Sequence, residues 1–266
     1  MKVLELCCGS KSFTKTCEAL GLTCTTVDIN PRHEPDILSD VRLLAEQNKF
    51  SEGEFDVIWA SPPCEHYSKA KTRGKRDLPY YDSIVQACLT IISQVKPVVW
   101  IVENPQGMLR HRPFMAELNK WTVDYCMFGA PYRKRTDLFM SDNMFPGLKD
   151  MLCDKSCGQV DEKTGKHKCL AQNGPSTRNP GSGYTGKLDA RHSVPVSLCL
   201  GVALKAHSVV SELSNHLSND VDTNATDPTG LDGADQGLPS GDNAVGGSGT
   251  VGEGSGGPTH GICGCS

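Results

Sequence analysis

The segment Ser61-Pro62-Pro63-Cys64 sets one cysteine directly after two prolines. Cysteine is the side chain most ready to act as a nucleophile near neutral pH. The residues before it, Phe55–Ala60, form a short apolar run that reads as a buried parallel strand. The prolines stop that strand because they lack the ladder N–H. Ligands of open α/β sheets bind at the carboxyl ends of strands, so Cys64 is expected at a site. The plainer alternative is a small buried hydrophobe; the position after Pro-Pro argues against it. Lys69, Lys71, Arg73, Lys75 and Arg76 follow closely, and such a loop suits phosphate. His66 reads as a loop side chain that also contacts phosphate. A nucleophile beside a phosphate-seeking loop points to covalent chemistry on a nucleic acid.

Two more strand ends offer polar groups. Glu103, in Glu103-Asn104-Pro105, closes the apolar run Val98–Val102. There it can hydrogen-bond a base edge, and donate a proton if burial raises its pKa. Leu4-Glu5-Leu6-Cys7-Cys8-Gly9-Ser10 is a strand and tight turn leading to a helix. Gly9 allows close backbone approach, and the helix N-terminus offers free N–H groups. The loop is not G-x-G-x-x-G, so a dinucleotide is disfavoured, and Lys11 fits no phosphate-loop spacing. Asp28 ends the second strand about 20 residues on, where an acid meets ribose hydroxyls in nucleoside-binding sheets. The loop taken alone fits a nucleoside site or a simple chain reversal.

The elements that must position these residues alternate. Strands are expected at 3–7, 25–29, 36–41, 55–60 and 98–102. Helices are expected at 12–20, 42–46 and over Ile84, Val85, Cys88, Ile91, Ile92 and Val95, ending at Pro97. Such alternation implies a parallel sheet covered on both faces. Two further strands, 122–128 and 137–140, are joined by a turn at 129–135. The stretch 145–190 has no clear period, and a last amphipathic helix covers 195–213. The organisation expected is a core over 1–144, a small insertion over 145–190, a returning helix over 191–215 and a tail over 216–266.

That tail holds seven acids, no Lys or Arg, and 13 of the 27 glycines. It cannot bury enough apolar surface to offset its ordering entropy, so it is expected to be disordered. The net charge of −4 therefore conceals 24 acids against 27 bases in residues 1–215, a mildly basic folded part. No run approaches the ~18 consecutive apolar residues of a membrane span, and the N-terminus lacks a signal-peptide pattern. The 13 cysteines fall mostly within expected helices and strands, which favours reduced thiols in the cytoplasm or nucleus.

Taken together, the cofactor loop Glu5–Ser10, Ser61-Pro62-Pro63-Cys64 and Glu103-Asn104-Pro105 resemble the cytosine-C5 DNA methyltransferase family. Gly129-Ala130-Pro131-Tyr132-Arg133-Lys134-Arg135 is similar to its Gln-x-Arg-x-Arg segment. Ser193-Val194-Pro195 and the following helix are similar to the last family motif, which returns to the cofactor pocket. The resemblance spans about residues 3–210, and the Pro-Pro-Cys and Glu-Asn elements are specific as a pair. The chain departs from the pattern at Lys11-Ser12, where many members have Gly-Gly, at Glu65, and at the missing Gln of the arginine motif.

The resemblance implies a Rossmann-like α/β methyltransferase sheet and S-adenosylmethionine as methyl donor. It assigns Glu5, Leu6, Cys7, Gly9, Phe13, Asp28, Ile29, Asp40 and Pro62 to the cofactor. Phe13 would pack on the adenine, Asp28 bind the ribose and Asp40 receive the adenine amino group. Cys64, Glu103, Asn104, Arg133 and Arg135 would serve catalysis. The implied partner is duplex DNA with a flipped cytosine, met by a monomer with no membrane involved. A tRNA cytosine-C5 methyltransferase and a catalytically silent nucleic-acid-binding homologue remain open. Ser176-Thr177-Arg178 and Arg191-His192 are lesser candidates for DNA contact. Cys153-x3-Cys157 with His167-x-Cys169 offers four zinc-type ligands, but the spacing is looser than a paired Cys-x2-Cys site. The reading taken is a cysteine-rich loop, with no metal in the chemistry.

Overall fold

The computed structural model describes residues 1–69, 71–169, 171 and 192–223. The expectations for Ser176, Thr177, Arg178 and Arg191, and for the tail beyond Thr223, lie outside these residues. Seven strands form one sheet: β1 (Lys2–Leu6), β2 (Thr23–Asp28), β3 (Ile37–Leu38), β4 (Val57–Ala60), β5 (Val99–Pro105), β6 (Lys120–Asp124) and β7 (Arg135–Met140). Their spatial order is β3-β2-β1-β4-β5-β7-β6. The first five run parallel, and β7 lies antiparallel to both β5 and β6. This is the Rossmann-type order with an antiparallel strand inserted near one edge. The expected α/β methyltransferase-like sheet is the observed fold.

Strand-length apolar runs without alternation follow from helices on both faces. Val3, Val57, Trp59, Val99 and Ile101 point to one side. There they meet α1 (Ser12–Ala19) and α4 (Val196–Thr223). Leu4, Leu6, Ile58, Ala60 and Val102 point to the other. They pack on α2 (Val41–Glu46) and α3 (Leu78–Val95). Every residue of β4 is fully buried, so Cys64 hangs from the most central strand.

Several boundaries differ from expectation, β3 being only Ile37–Leu38 and β7 starting at Arg135. Helix α3 begins six residues before Ile84, because Asp77 caps it by accepting from the Tyr80 N–H and Pro79 fits its first turn. Strand β6 stops at Asp124, where Arg135 is its last partner on β7. The chain then makes a 3-10 turn, Tyr125–Phe128, closed by Gly129 at φ 81°. Helix α4 runs on to Thr223, into the segment expected to be unstructured, since no Gly or Pro interrupts residues 202–223.

Within α4, Val196–Asn215 has a mean hydropathy of 1.4, long and apolar enough to cross a membrane by length and composition alone. Leu198, Cys199, Val202, Ala203 and Ala206 recur at helical spacing and are buried in the core shared with α1. That face is spent on packing within the fold.

The order of strands reverses between β1 and β4, so a crevice opens at their carboxyl ends. The chain after Cys64 is held down there by a close approach. A Cβ built on Gly107 would lie 2.3 Å from the carbonyl oxygen of Tyr67, and Met108 N–H donates to that same oxygen at 2.9 Å. Gly107→Ala should therefore cost roughly 1–3 kcal/mol of stability, measured by urea denaturation against wild type.

Candidate active site

Cys64 emerges half-buried from β4, and its carbonyl accepts from the N–H groups of Tyr67 and Ser68 at 3.0 and 2.8 Å. The loop is locked below by Tyr67, which is fully buried and donates its hydroxyl to Asp82 at 2.7 Å. Arg112 clamps Asp82 through two nitrogens. From the neighbouring strand, Asn104 donates its side-chain amide to the Pro62 carbonyl at 3.0 Å. Asn104 thus positions the nucleophile loop and does not line the cleft. Glu103 does line it, together with Cys64, Pro62, Pro63, Glu65 and Lys134. The buried Tyr125 hydroxyl donates to Glu103 Oε1 at 2.8 Å.

Lys134 lines the cleft, and the motif reading gave it no role. It is 11% exposed, its Nζ lies 3.7 Å from Glu103 Oε1 and 4.8 Å from the centre of the Tyr125 ring. The two expected arginines turn away. Arg135 and Arg133 both reach Asp124, at 2.8 and 3.4 Å, and neither lines the cleft. Side chains alternate along an extended chain, so the residue between two arginines faces the opposite way. That alternation was the available signal. Burial pushes the Asp124 carboxyl up, yet Arg135, the Cys153 N–H and Arg133 hold it below the usual range.

The basic loop is partly structural. Arg76 donates to the carbonyls of His66, Ser68 and Lys71, so it shapes the loop instead of facing phosphate. His66 stacks on Tyr81 at 4.2 Å, and its Nδ1 accepts from the Asp77 N–H. Lys69, Arg73 and Lys75 are exposed.

Above β1 the chain takes left-handed conformations at Cys7, Gly9 and Lys11, with φ of 53°, 47° and 55°. Such backbone at non-glycine positions is sustained only where the surroundings enforce it. Asp28 does so, accepting from Gly9 N–H at 2.9 Å and Asn30 N–H at 2.8 Å. The cleft runs over Glu5, Cys7, Cys8, Gly9 and Ser10 as a cavity of 190 Å³. A second depression of 380 Å³ continues over Gly9, Ser10, Lys11, His33 and Glu34. His192 reaches both, and Val194, which donates its N–H to Ser12 Oγ at 3.2 Å, closes the first. Ile29 stands 64% exposed at the end of β2.

Three residues assigned to the cofactor do not line the cleft. Phe13 is fully buried and stacks on Trp59 at 4.5 Å, so it supports α1 from within the core. Leu6 is fully buried on the α2/α3 face. Asp40 caps α2 and binds Arg42 through both carboxylate oxygens, away from the cleft. The position beside the loop that does line the cleft is Cys7. Among the cysteine-rich candidates, Cys153, Cys157 and His167 converge with Cys126. Cys169 stands outside that group; its carbonyl accepts from Arg133 N–H.

The C-5 cytosine-specific DNA methylase family matches residues 1–124. A protein of Frog virus 3 (isolate Goorha), named "Probable DNA (cytosine-5)-methyltransferase", is 32% identical over 197 residues, 69% of this chain and 82% of that protein. This chain belongs to the cytosine-5 DNA methyltransferase family. An E. coli crystal structure named for a DNA modification methyltransferase encoded within a prophage is similar at a TM-score of 0.42 and 17% identity. It matches over 57% of this chain, which spans about half, 52%, of that structure.

In this family member the electrostatics of the cleft are divided. Burial pushes the Cys64 thiol up, Lys134 draws it down, and Glu103 and Glu65 add to the rise. Lys134→Met should therefore slow alkylation of Cys64 by iodoacetamide at neutral pH and move its pH midpoint upward, followed by peptide mass mapping. Glu5 is a second marker. Burial raises its carboxyl from 4.5 to about 7, against hydrogen bonds from the Thr14 and Phe13 N–H groups. Between those two pH values the folded chain keeps a proton that the unfolded chain releases, so stability falls as pH rises. Glu5→Gln removes that slope. Its advantage over wild type should grow across the window to at most about 3 kcal/mol, read from denaturation midpoints at several pH values.

Proposed function

We propose that this chain is a DNA cytosine-5 methyltransferase that methylates C5 of cytosine through a covalent Cys64 adduct, with S-adenosylmethionine as methyl donor. The observation that carries the reading is the meeting of Cys64 from β4, Glu103 from β5 and Lys134 in a single cleft, in a chain of this family. The cleft beside them fits the donor. A Cβ built on Gly9 would meet nothing within 4 Å, which leaves open space over the loop. The acceptors and amides there suit a nucleoside with an amino-acid arm. Gly9, Ser10 and Cys7 would hold it from below, Ile29 would offer an apolar face, and Asp28 has lone pairs to spare for ribose hydroxyls.

Cytosine C5 is unreactive until a nucleophile adds at C6. Cys64 as thiolate makes that bond, and Lys134 favours the thiolate. Glu103, held by Tyr125, accepts from the exocyclic amine and, in its protonated form, donates to ring N3, which stabilises the electron density moved out of the C5–C6 bond. When bound, S-adenosylmethionine would supply an electrophilic methyl group for C5 and depart as its thioether. Transfer of the C5 proton to solvent then restores the C5–C6 double bond and expels the Cys64 thiolate. The target base must leave the duplex stack, at a cost of a few kcal/mol. Lys69, Arg73 and Lys75 are exposed beside Cys64 to offset it through phosphate contacts. We read the chain as a monomer acting where DNA resides, in the cytoplasm or nucleus.

The test is methyl transfer from labelled donor to mixed-sequence duplex DNA and, in parallel, to tRNA. DNA should be the better acceptor, and bisulfite mapping should locate the product at cytosine. Cys64→Ser should lower the rate by roughly three orders of magnitude or more and leave the thermal transition unchanged. Wild type should form a covalent adduct with DNA carrying 5-fluorocytosine, since fluorine cannot depart as a proton does. Methylation retained by Cys64→Ser would sink the mechanism, and exclusive labelling of tRNA would move the substrate to RNA.

A further inference from the structure

Four side chains from three parts of the sequence meet beside the end of β6. Cys126 comes from the 3-10 turn after β6, Cys153 and Cys157 from the insertion, and His167 from the segment that bridges back to Val160. Their ligand atoms all lie within 4.8 Å of one another. The three sulfurs stand 3.5, 3.3 and 3.5 Å from the same atom, Nε2 of His167. A ring nitrogen has one hydrogen-bonding position, as donor or as acceptor. Hydrogen bonding therefore accounts for one of the three contacts and leaves two unexplained.

A shared metal ion accounts for all three. In a tetrahedron with Zn–S bonds of about 2.3 Å and a Zn–N bond of about 2.0–2.1 Å, each S···N edge is about 3.5 Å. The observed separations match that edge. We propose that Cys126, Cys153, Cys157 and His167 bind one structural Zn²⁺. Four protein ligands close the coordination sphere and leave no position for substrate, so the ion serves structure. Three thiolates and an imidazole select zinc over magnesium or calcium, which take oxygen ligands. The Cys153 sulfur also accepts from Lys155 N–H at 3.3 Å, with Lys155 held in the left-handed region at φ 81°. A sulfur that carries charge is the better acceptor for that amide.

The ion answers a need of the insertion. Between Met151 and Cys169 regular pairing is confined to the isolated bridges of Met151 with Val123 and of Val160 with His167, and Met151 and Leu152 are both exposed. A segment with so little apolar burial is short of folding free energy, and a metal supplies it. The link also reaches the cleft through neighbours in the chain. Tyr125, adjacent to Cys126, holds Glu103. Asp124, one residue further back, accepts from Cys153 N–H at 2.9 Å and binds Arg135. Zinc would tie the insertion to the residue that orients the acid. The chemistry at Cys64 does not pass through the ion, so this proposal stands apart from the proposed function.

The test uses the full chain purified without chelators. Elemental analysis should find about one zinc per chain. Exchange for Co²⁺ should give thiolate-to-cobalt charge transfer and the ligand-field bands of a tetrahedral site. Cys126→Ser should lose metal, whereas Cys169→Ser should keep it. Chelation should expose the lysines between 155 and 168 to trypsin. Absence of zinc together with failure to take up cobalt would overturn the proposal. So would metal retained by Cys126→Ser and lost by Cys169→Ser, or a disulfide among the three cysteines in the intact mass.

Discussion

Two consecutive prolines deliver the nucleophile, and proline cannot donate a backbone hydrogen bond. The loop they form therefore cannot be stitched to its neighbour by the ladder that holds the rest of the sheet. A side chain takes over: Asn104, buried on β5, donates to the Pro62 carbonyl. Because Asn104 follows Glu103, one short strand end fixes both the nucleophile's loop and the acid. The buried pair Tyr67 and Asp82 then secures the far side of the loop. The rest of the cleft is arranged around a segment that is rigid by composition and anchored by side chains.

Charge is balanced within that rigid frame. Glu103 and Glu65 oppose a thiolate at Cys64, and burial opposes it more. Lys134 answers from the residue before β7, and it rests on the face of Tyr125 while Tyr125 donates to Glu103. Lysine, tyrosine and acid thus form a small assembly in which each orients the next. Asp124 performs a parallel task outside the cleft by gathering Arg133, Arg135 and the Cys153 amide around one buried carboxylate.

Strand ends were legible because apolar runs and their stops are local. Val57–Ala60 before Pro-Pro, and Val99–Val102 before Glu103, needed no knowledge of partners. What could not be read depended on register or on distant convergence. Leu6 and Phe13 flank the right loop, on β1 and α1, but whether a side chain faces the cleft or the core is set by how α1 lies on the sheet. Arg133 and Arg135 follow from the motif resemblance, whereas the pleat of the chain gives the cleft to Lys134. Cys169 was grouped with His167 by closeness in sequence. Cys126, 41 residues from that histidine, joins it only because the insertion folds back on the end of β6.

The contact between Val194 and Ser12 joins positions 182 residues apart. Its position bears on how the protein comes into being on the ribosome. Synthesis is vectorial, and a domain folds as a unit once its segments are made. The sheet strands and the nucleophile loop are made well before Val194. The wall that closes the donor cleft, and the α4 face that covers α1, are made after them. A nascent chain thus carries Cys64 for some time before the cleft around it can close. The order of synthesis separates the making of that thiol from the making of its surroundings.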